Sequence, residues 1–304
     1  MKKRKAFEHY KAKKVLILEG QKKLPNNTIR KILHPLFLSC LWIQRKLNGF
    51  SVEVLNSMKL PKGRSVIFVL THIGKWDFEI VNEQIKEQSF VVAADFIHMH
   101  GTISGFFMNL NGVIYVDEED REDKANTKKL MINLLQSGSN VMILPEGTWN
   151  LSENEIIRDI AYGTADAAIS AGAVILPIAV EQYEKHFVIC FGDVIDSLKL
   201  RIDKHRLTVI LRDELASLKW RIWERRGICK RDTLTSAYWD EFIRERRFEW
   251  RGYSMKEQIV NTYIPKEKRE YWQVQRDLRT GNIPLWYQIY LEEYVSDSVI
   301  GEDK

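Results

Sequence analysis

The stretch Ser65 to Glu79, SVIFVLTHIGKWDFE, constrains the fold of this chain more than any other. Val66 to Leu70 is an apolar, β-branched-rich run with no charge, the composition of a strand buried on both faces. The run stops at Thr71-His72, passes Gly74, and takes up helix-like spacing through Phe78, Ile80, Val81 and Ile85. His72 therefore stands where a buried strand delivers its C-terminal end, and Asp77 in or near the first turn of the next helix. On one continuous helix their side chains would diverge by roughly 140°, but a bend at Gly74 lets Asp77 fold back onto the imidazole. A histidine oriented by a carboxylate at the mouth of an α/β sheet is the arrangement of a general base. The blander reading, a strand-end histidine beside an Asp that favours a helix N-terminus, stays open on this stretch alone.

From Lys62 to Arg212 buried β-runs alternate with helical patterns. Strands are expected at 66–71, 90–94, 112–116, 140–144, 174–180, 186–191 and 206–211. Helices are expected over 77–88, 122–137 and 160–171, with a shorter one near 102–110. The alternation predicts an α/β fold, a largely parallel mixed sheet flanked by helices, in which sites collect beyond the C-terminal strand ends. A second strand, Val141 to Leu144, reaches such an end in Pro145-Glu146-Gly147-Thr148, which puts a carboxylate and a hydroxyl in a tight turn. His98 and His100 lack Cys, Asp or Glu at ligand spacing and read as polar-loop residues, so no metal site is expected.

Charge is unevenly spread. Residues 1–50 hold 13 Lys/Arg against 2 acids, while the other 254 residues hold 33 basic and 39 acidic groups. Read by charge alone, residues 1–31 are a solvated tail. Ile32 to Ile43 is strongly apolar, carries Trp42 and is bracketed by basic pairs. Interrupted by Pro35, it is too short for the roughly 20 residues that span a bilayer, but it suits the headgroup region of an anionic membrane. No nucleic-acid recognition motif is present. Three cysteines without metal spacing and no signal peptide suggest a cytoplasmic protein, peripheral on the inner membrane face. Residues 213–304 hold six of the nine tryptophans in helical periodicity, and read as an extension packed on the core.

Together the blocks resemble the glycerolipid acyltransferase superfamily, the lysophosphatidic acid and glycerol-3-phosphate acyltransferases. The family's H-x4-D is His72-Ile-Gly-Lys-Trp-Asp77, and its P-E-G-T block is Pro145 to Thr148. Gly112 to Val116 matches its glycine-led strand, and Val174-Ile-Leu-Pro177 its proline-bearing strand. The resemblance covers roughly Lys59 to Glu224, which divides the chain into a membrane-facing segment (1–58), an acyltransferase domain (59–224) and a helical extension (225–304). It implies transfer of a fatty acyl group from a thioester, on coenzyme A or acyl carrier protein, to a lipid-like hydroxyl, with no further cofactor. Carried over by position, His72 would be the base and Asp77 its orienting partner. Gly74, Lys75, Trp76, Glu146, Gly147, Thr148 and Trp149 would line the substrate site. Amides near Gly74 or Gly147 would hold the oxyanion, and Glu146 would meet an acceptor hydroxyl.

Two departures bear on the acceptor. Family members acting on phosphorylated glycerol usually carry an arginine after P-E-G-T, where this chain has Trp149. They also commonly close the glycine-led strand with Arg or Lys, where it reads Asp117-Glu118-Glu119-Asp120. Four acids near a phosphate dianion would cost several kcal/mol unless Arg121, Lys124 or Lys75 swings in. A sugar-bearing, amine-bearing or otherwise non-phosphate acceptor is therefore expected over lysophosphatidate. The lost arginines also motivate an alternative, a non-catalytic lipid- or protein-binding module on the same fold, which the intact motifs oppose.

Overall fold

The computed structural model describes residues 2–228, apart from Lys75, Asp95, Glu118, Glu119, Thr148 and residues 151–155. Most of the expected C-terminal extension, 225–304, thus lies outside the described residues. Seven strands form one sheet: β1 (Ser51–Val54), β2 (Val66–Leu70), β3 (Ser89–Ala93), β4 (Val113–Tyr115), β5 (Asn140–Ile143), β6 (Val174–Tyr183) and β7 (His186–Phe191). Their order is β1-β7-β6-β2-β5-β3-β4. From β6 to β4 all neighbours run parallel. β7 returns antiparallel to β6, and β1 lies parallel to β7. Helices α1 (Lys2–Leu18), α2 (Asn27–Leu47), α3 (Asp77–Ile85), α4 (Phe96–Met99), α5 (Ile103–Asn111), α6 (Arg121–Gln136), α7 (Gly163–Ala171), α8 (Ser197–Leu200) and α9 (Lys204–Arg226) surround it.

β2 is central because its side chains feed two cores. Val66, Phe68 and Leu70 pack with Phe37 and Leu41 of α2 and with α3, while Ile67 and Val69 pack with α6, α7 and α9. Alternate residues of a strand face opposite sides, and all five are buried. At roughly 1.5–3 kcal/mol per buried aliphatic or aromatic side chain, β2 is a fixed post for whatever its end carries.

Three expectations change. Residues 206–211 are not a strand but the start of α9. RLTVIL carries three β-branched residues in a row, yet Leu207, Leu211, Leu215, Leu218 and Ile222 continue at helical spacing and are all buried. β1 pairs with β7 in the sheet, so the globular domain begins upstream of residue 59. The arm is not a solvated tail. In α1, Phe7 stacks on Phe96 at 4.7 Å and Lys14 is buried against α6. α2 runs unbroken through Pro35 from an Asn26 cap whose side chain accepts the Thr28 and Ile29 N–H groups. It buries His34, Phe37 and Leu41 and exposes Ile29, Ile32, Leu36, Trp42, Ile43 and Leu47. Among the described residues no helix is long and apolar enough to cross a membrane.

Candidate active site

β2 and β5 are adjacent and parallel, so the loops leaving their C-terminal ends share one edge of the sheet. The chain bends after His72, and Asp77, fully buried in the first turn of α3, folds back as the glycine allows. Its Oδ2 accepts hydrogen bonds from the Ile73 N–H (2.6 Å) and the Gly74 N–H (2.9 Å), and lies 2.9 Å from His72 Nδ1. An ionised carboxylate only accepts, so a neutral imidazole on it carries its proton on Nδ1 and keeps the Nε2 lone pair. The His72 side chain is 21% exposed and that of Asp77 0%. One partner is sealed and the other reaches solvent.

The PEGT turn clamps the histidine backbone from the other side. Glu146 Oε1 accepts the His72 N–H at 2.9 Å, and the His72 carbonyl accepts the Asn150 N–H at 2.6 Å. Gly147 holds the turn at φ +69°, a conformation that disfavours any residue with a Cβ. The Trp149 indole meets the imidazole edge-on, with centroids 6.0 Å apart. Asn150 is buried, and its side chain donates to the Ile156 carbonyl at 3.2 Å.

Other predicted residues are placed differently. Glu146 does not face the cleft as a free acceptor: its second oxygen accepts the Arg158 N–H at 3.0 Å, so both oxygens hold backbone. The Gly74 N–H is spent on Asp77, and the Gly147 N–H on the Leu144 carbonyl at 3.1 Å. Neither amide is left for an oxyanion. Trp76 caps α3 and packs edge-on against Phe50 at 5.3 Å, in the core below β2. Lys75 and Thr148 lie outside the described residues. Arg121 opens α6 beyond β4, three strand positions from β2, which is about 14 Å at about 4.8 Å per strand. His100 stacks on Phe96 at 4.9 Å.

The acidic loop sits at that same far edge and is not a bare negative patch. Lys11 Nζ reaches Asp117 Oδ2 and Asp120 Oδ2, each at 3.1 Å. Asp120 also caps α6, accepting the Glu122 and Asp123 N–H groups. The Asp123 amide and then Lys11 hold its carboxyl below the usual range. Asp123 in turn takes Lys14 at 2.8 and 2.9 Å. Lys11 and Lys14 thus offset part of the charge of Asp117, Asp120 and Asp123, while Glu118 and Glu119 lie outside the described residues. A cavity of about 570 Å³ lined by Lys59, Arg64, Gly192 and Asp196 lies at the opposite edge, near the start of β6, and belongs to no part of this constellation.

Sequence reasoning missed Asn150 and Arg158. Neither stands in a motif, and their roles run through backbone groups that composition does not reveal.

Residues 51–181 match the family model described as Acyltransferase. That segment, under half of the chain, carries His72, Asp77 and the PEGT turn, and its match agrees with the resemblance to the glycerolipid acyltransferase superfamily that the motifs carry. Among curated relatives, the 1-acyl-sn-glycerol-3-phosphate acyltransferase of Borreliella burgdorferi is 26% identical over 190 residues, covering 58% of this chain and 75% of that one. An uncharacterized acyltransferase of Schizosaccharomyces pombe is 24% identical over 135 residues, covering 44% of this chain and 48% of its own length. Among solved structures, the 1-acyl-sn-glycerophosphate (LPA) acyltransferase PlsC from Thermotoga maritima aligns over 73% of this chain and 88% of that one, with TM-score 0.49 and 13% identity.

Proposed function

We propose that this protein transfers a fatty acyl group from an acyl-CoA or acyl-carrier-protein thioester to the free hydroxyl of a 1-acylglycerol-3-phosphate-type acceptor. The observation that carries the reading is His72 Nδ1 on buried Asp77, 2.9 Å apart, with Nε2 bonded to no other described residue. Nε2 takes the hydroxyl proton as the acceptor oxygen attacks the thioester carbonyl. The tetrahedral oxyanion then collapses, the carbon–sulfur bond breaks, and the imidazolium returns its proton to the leaving thiolate. A thioester is already activated, so the barrier to lower is deprotonation of the alcohol, and a positioned base supplies roughly 10²–10⁴ in rate. The name of the Borreliella relative supports a phosphorylated acceptor, and the pairing of Lys11 with Asp117 and Asp120 lessens the charge objection to one.

The exposed apolar face of α2, Ile29 to Leu47, flanked by basic residues, supports peripheral attachment to an anionic membrane. Because α1 is built into the domain, deletion of the arm is a poor test. Ile32→Glu with Leu36→Glu changes only side chains that face solvent, and is expected to release the protein from phosphatidylglycerol vesicles in flotation with its fold intact. The reaction itself is tested by incubating the protein with acyl-CoA and 1-acylglycerol-3-phosphate. Stoichiometric free thiol and diacylated product are expected, and thiol with free fatty acid alone would point to a hydrolase.

A further inference from the structure

Resting on that acceptor reading, we propose that Arg158 binds the anionic headgroup of the acceptor, a phosphate monoester a few bonds from the reacting hydroxyl. Its backbone is fixed to the site: the Arg158 N–H donates to Glu146 Oε2 at 3.0 Å, while Glu146 Oε1 holds the His72 N–H at 2.9 Å. One carboxylate therefore separates the two main chains. Its side chain runs to the Trp149 carbonyl, the residue whose indole meets His72 edge-on at 6.0 Å.

The guanidinium is nearly uncommitted among the described residues. Among the described residues its one hydrogen bond is that contact, long at 3.5 Å, and it enters no ion pair. Other arginines of the domain are spent on carboxylates: Arg45 on Glu83, Arg64 on Asp196, Arg225 and Arg226 on Glu53. Both oxygens of Glu146 lie on backbone amides, and among the described residues no ion pair joins Arg158 to Glu146 or Asp159. A half-buried guanidinium with free N–H donors matches a phosphate bidentately, and its charge is screened less than at a fully exposed position. Arg158 stands nine residues after Trp149, whose carbonyl its guanidinium meets.

Arg158→Gln and Arg158→Lys test the assignment, since both leave the backbone bond to Glu146 in place. The probes are soluble 1-hexanoylglycerol 3-phosphate and uncharged 1-hexanoylglycerol, titrated calorimetrically and used as acceptors. Arg158→Gln is expected to weaken binding of the phosphorylated probe and raise its KM roughly 10- to 100-fold, the range for a hydrogen bond to a charged group. Arg158→Lys is expected to lose less, with the uncharged probe, acyl-CoA KM and thermal midpoint unchanged. Equal losses on both probes, or none on either, would overturn the proposal. A wild type that binds the phosphorylated probe through Arg158 but transfers no acyl group refutes the enzymatic reading and spares Arg158. A wild type that acylates the uncharged probe and ignores the phosphorylated one refutes Arg158 and spares the transferase.

Discussion

Two buried carboxylates, Asp77 after β2 and Asp123 in the helix after β4, do opposite things. Asp123 is filled by a permanent cation: Lys14 Nζ donates to both its oxygens and also to Thr127 Oγ1 (2.7 Å) and the Tyr115 carbonyl (2.8 Å). Burial pushes the Lys14 ammonium down, Asp123 opposes it, and every strong donor is used. Asp77 takes two amides and an imidazole on Oδ2, leaving one imidazole nitrogen for other work, while its buried Oδ1 has no hydrogen bond among the described residues. A carboxylate matched by a lysine fastens one helix to another, here α1 to α6. A carboxylate matched by a histidine can pass a proton on. The partner, not the burial, separates structure from chemistry.

Substitution should separate the pair in the same way. The largest effect is expected from Asp77→Asn, which keeps the shape but removes the charge that fixes Nδ1–H and stabilises the imidazolium. Turnover should fall about 10²–10⁴-fold, read as kcat for thioester consumption, with KM for acyl-CoA little changed. Lys14→Met should leave the rate per folded molecule intact and instead cost about 3–5 kcal/mol, because it strands a buried charge. The urea midpoint measures that cost. Glu146→Gln keeps one carbonyl oxygen for an amide and lies between the two kinds, costing about 1–2 kcal/mol of stability and a smaller loss of rate.

The smallest effect is acid sensitivity at the surface. Arg226 holds Glu53 below the usual carboxylate range, the Asp123 amide and Lys11 do so for Asp120, and Arg64 does so for Asp196. Their folded pKa values lie beneath the unfolded values near 4, so the stabilisation is present above those and lost as pH falls through the folded ones. Thermal midpoints from pH 6 to pH 3 should decline over that window, and a flat profile would count against these pairings.

The central fold and the His72–Asp77 pair were legible because each rests on short-range patterns: a charge-free run, a glycine bend, a proline-closed strand. α9 was misread where three consecutive β-branched residues outweighed a leucine spacing that shows only over about four turns. In α1, Phe7, Tyr10 and Lys14 lie on one face, and charge counting hid a lysine set within an apolar stripe. Glu146 and Arg158 show the deeper limit. The first was read as a group facing substrate and the second not read at all, because which side chains spend themselves on backbone amides depends on where two distant loops meet.

The proposed reaction turns on Nε2 of His72 receiving the acceptor proton. Its backbone contacts to Glu146 and Asn150 survive side-chain truncation, so His72→Ala should stay folded with a wild-type melting profile. The decisive measurement is the initial rate of acyl transfer from acyl-CoA to 1-acylglycerol-3-phosphate by that folded variant. A loss of about 10²-fold or more is predicted, and a rate within about threefold of wild type would contradict the account.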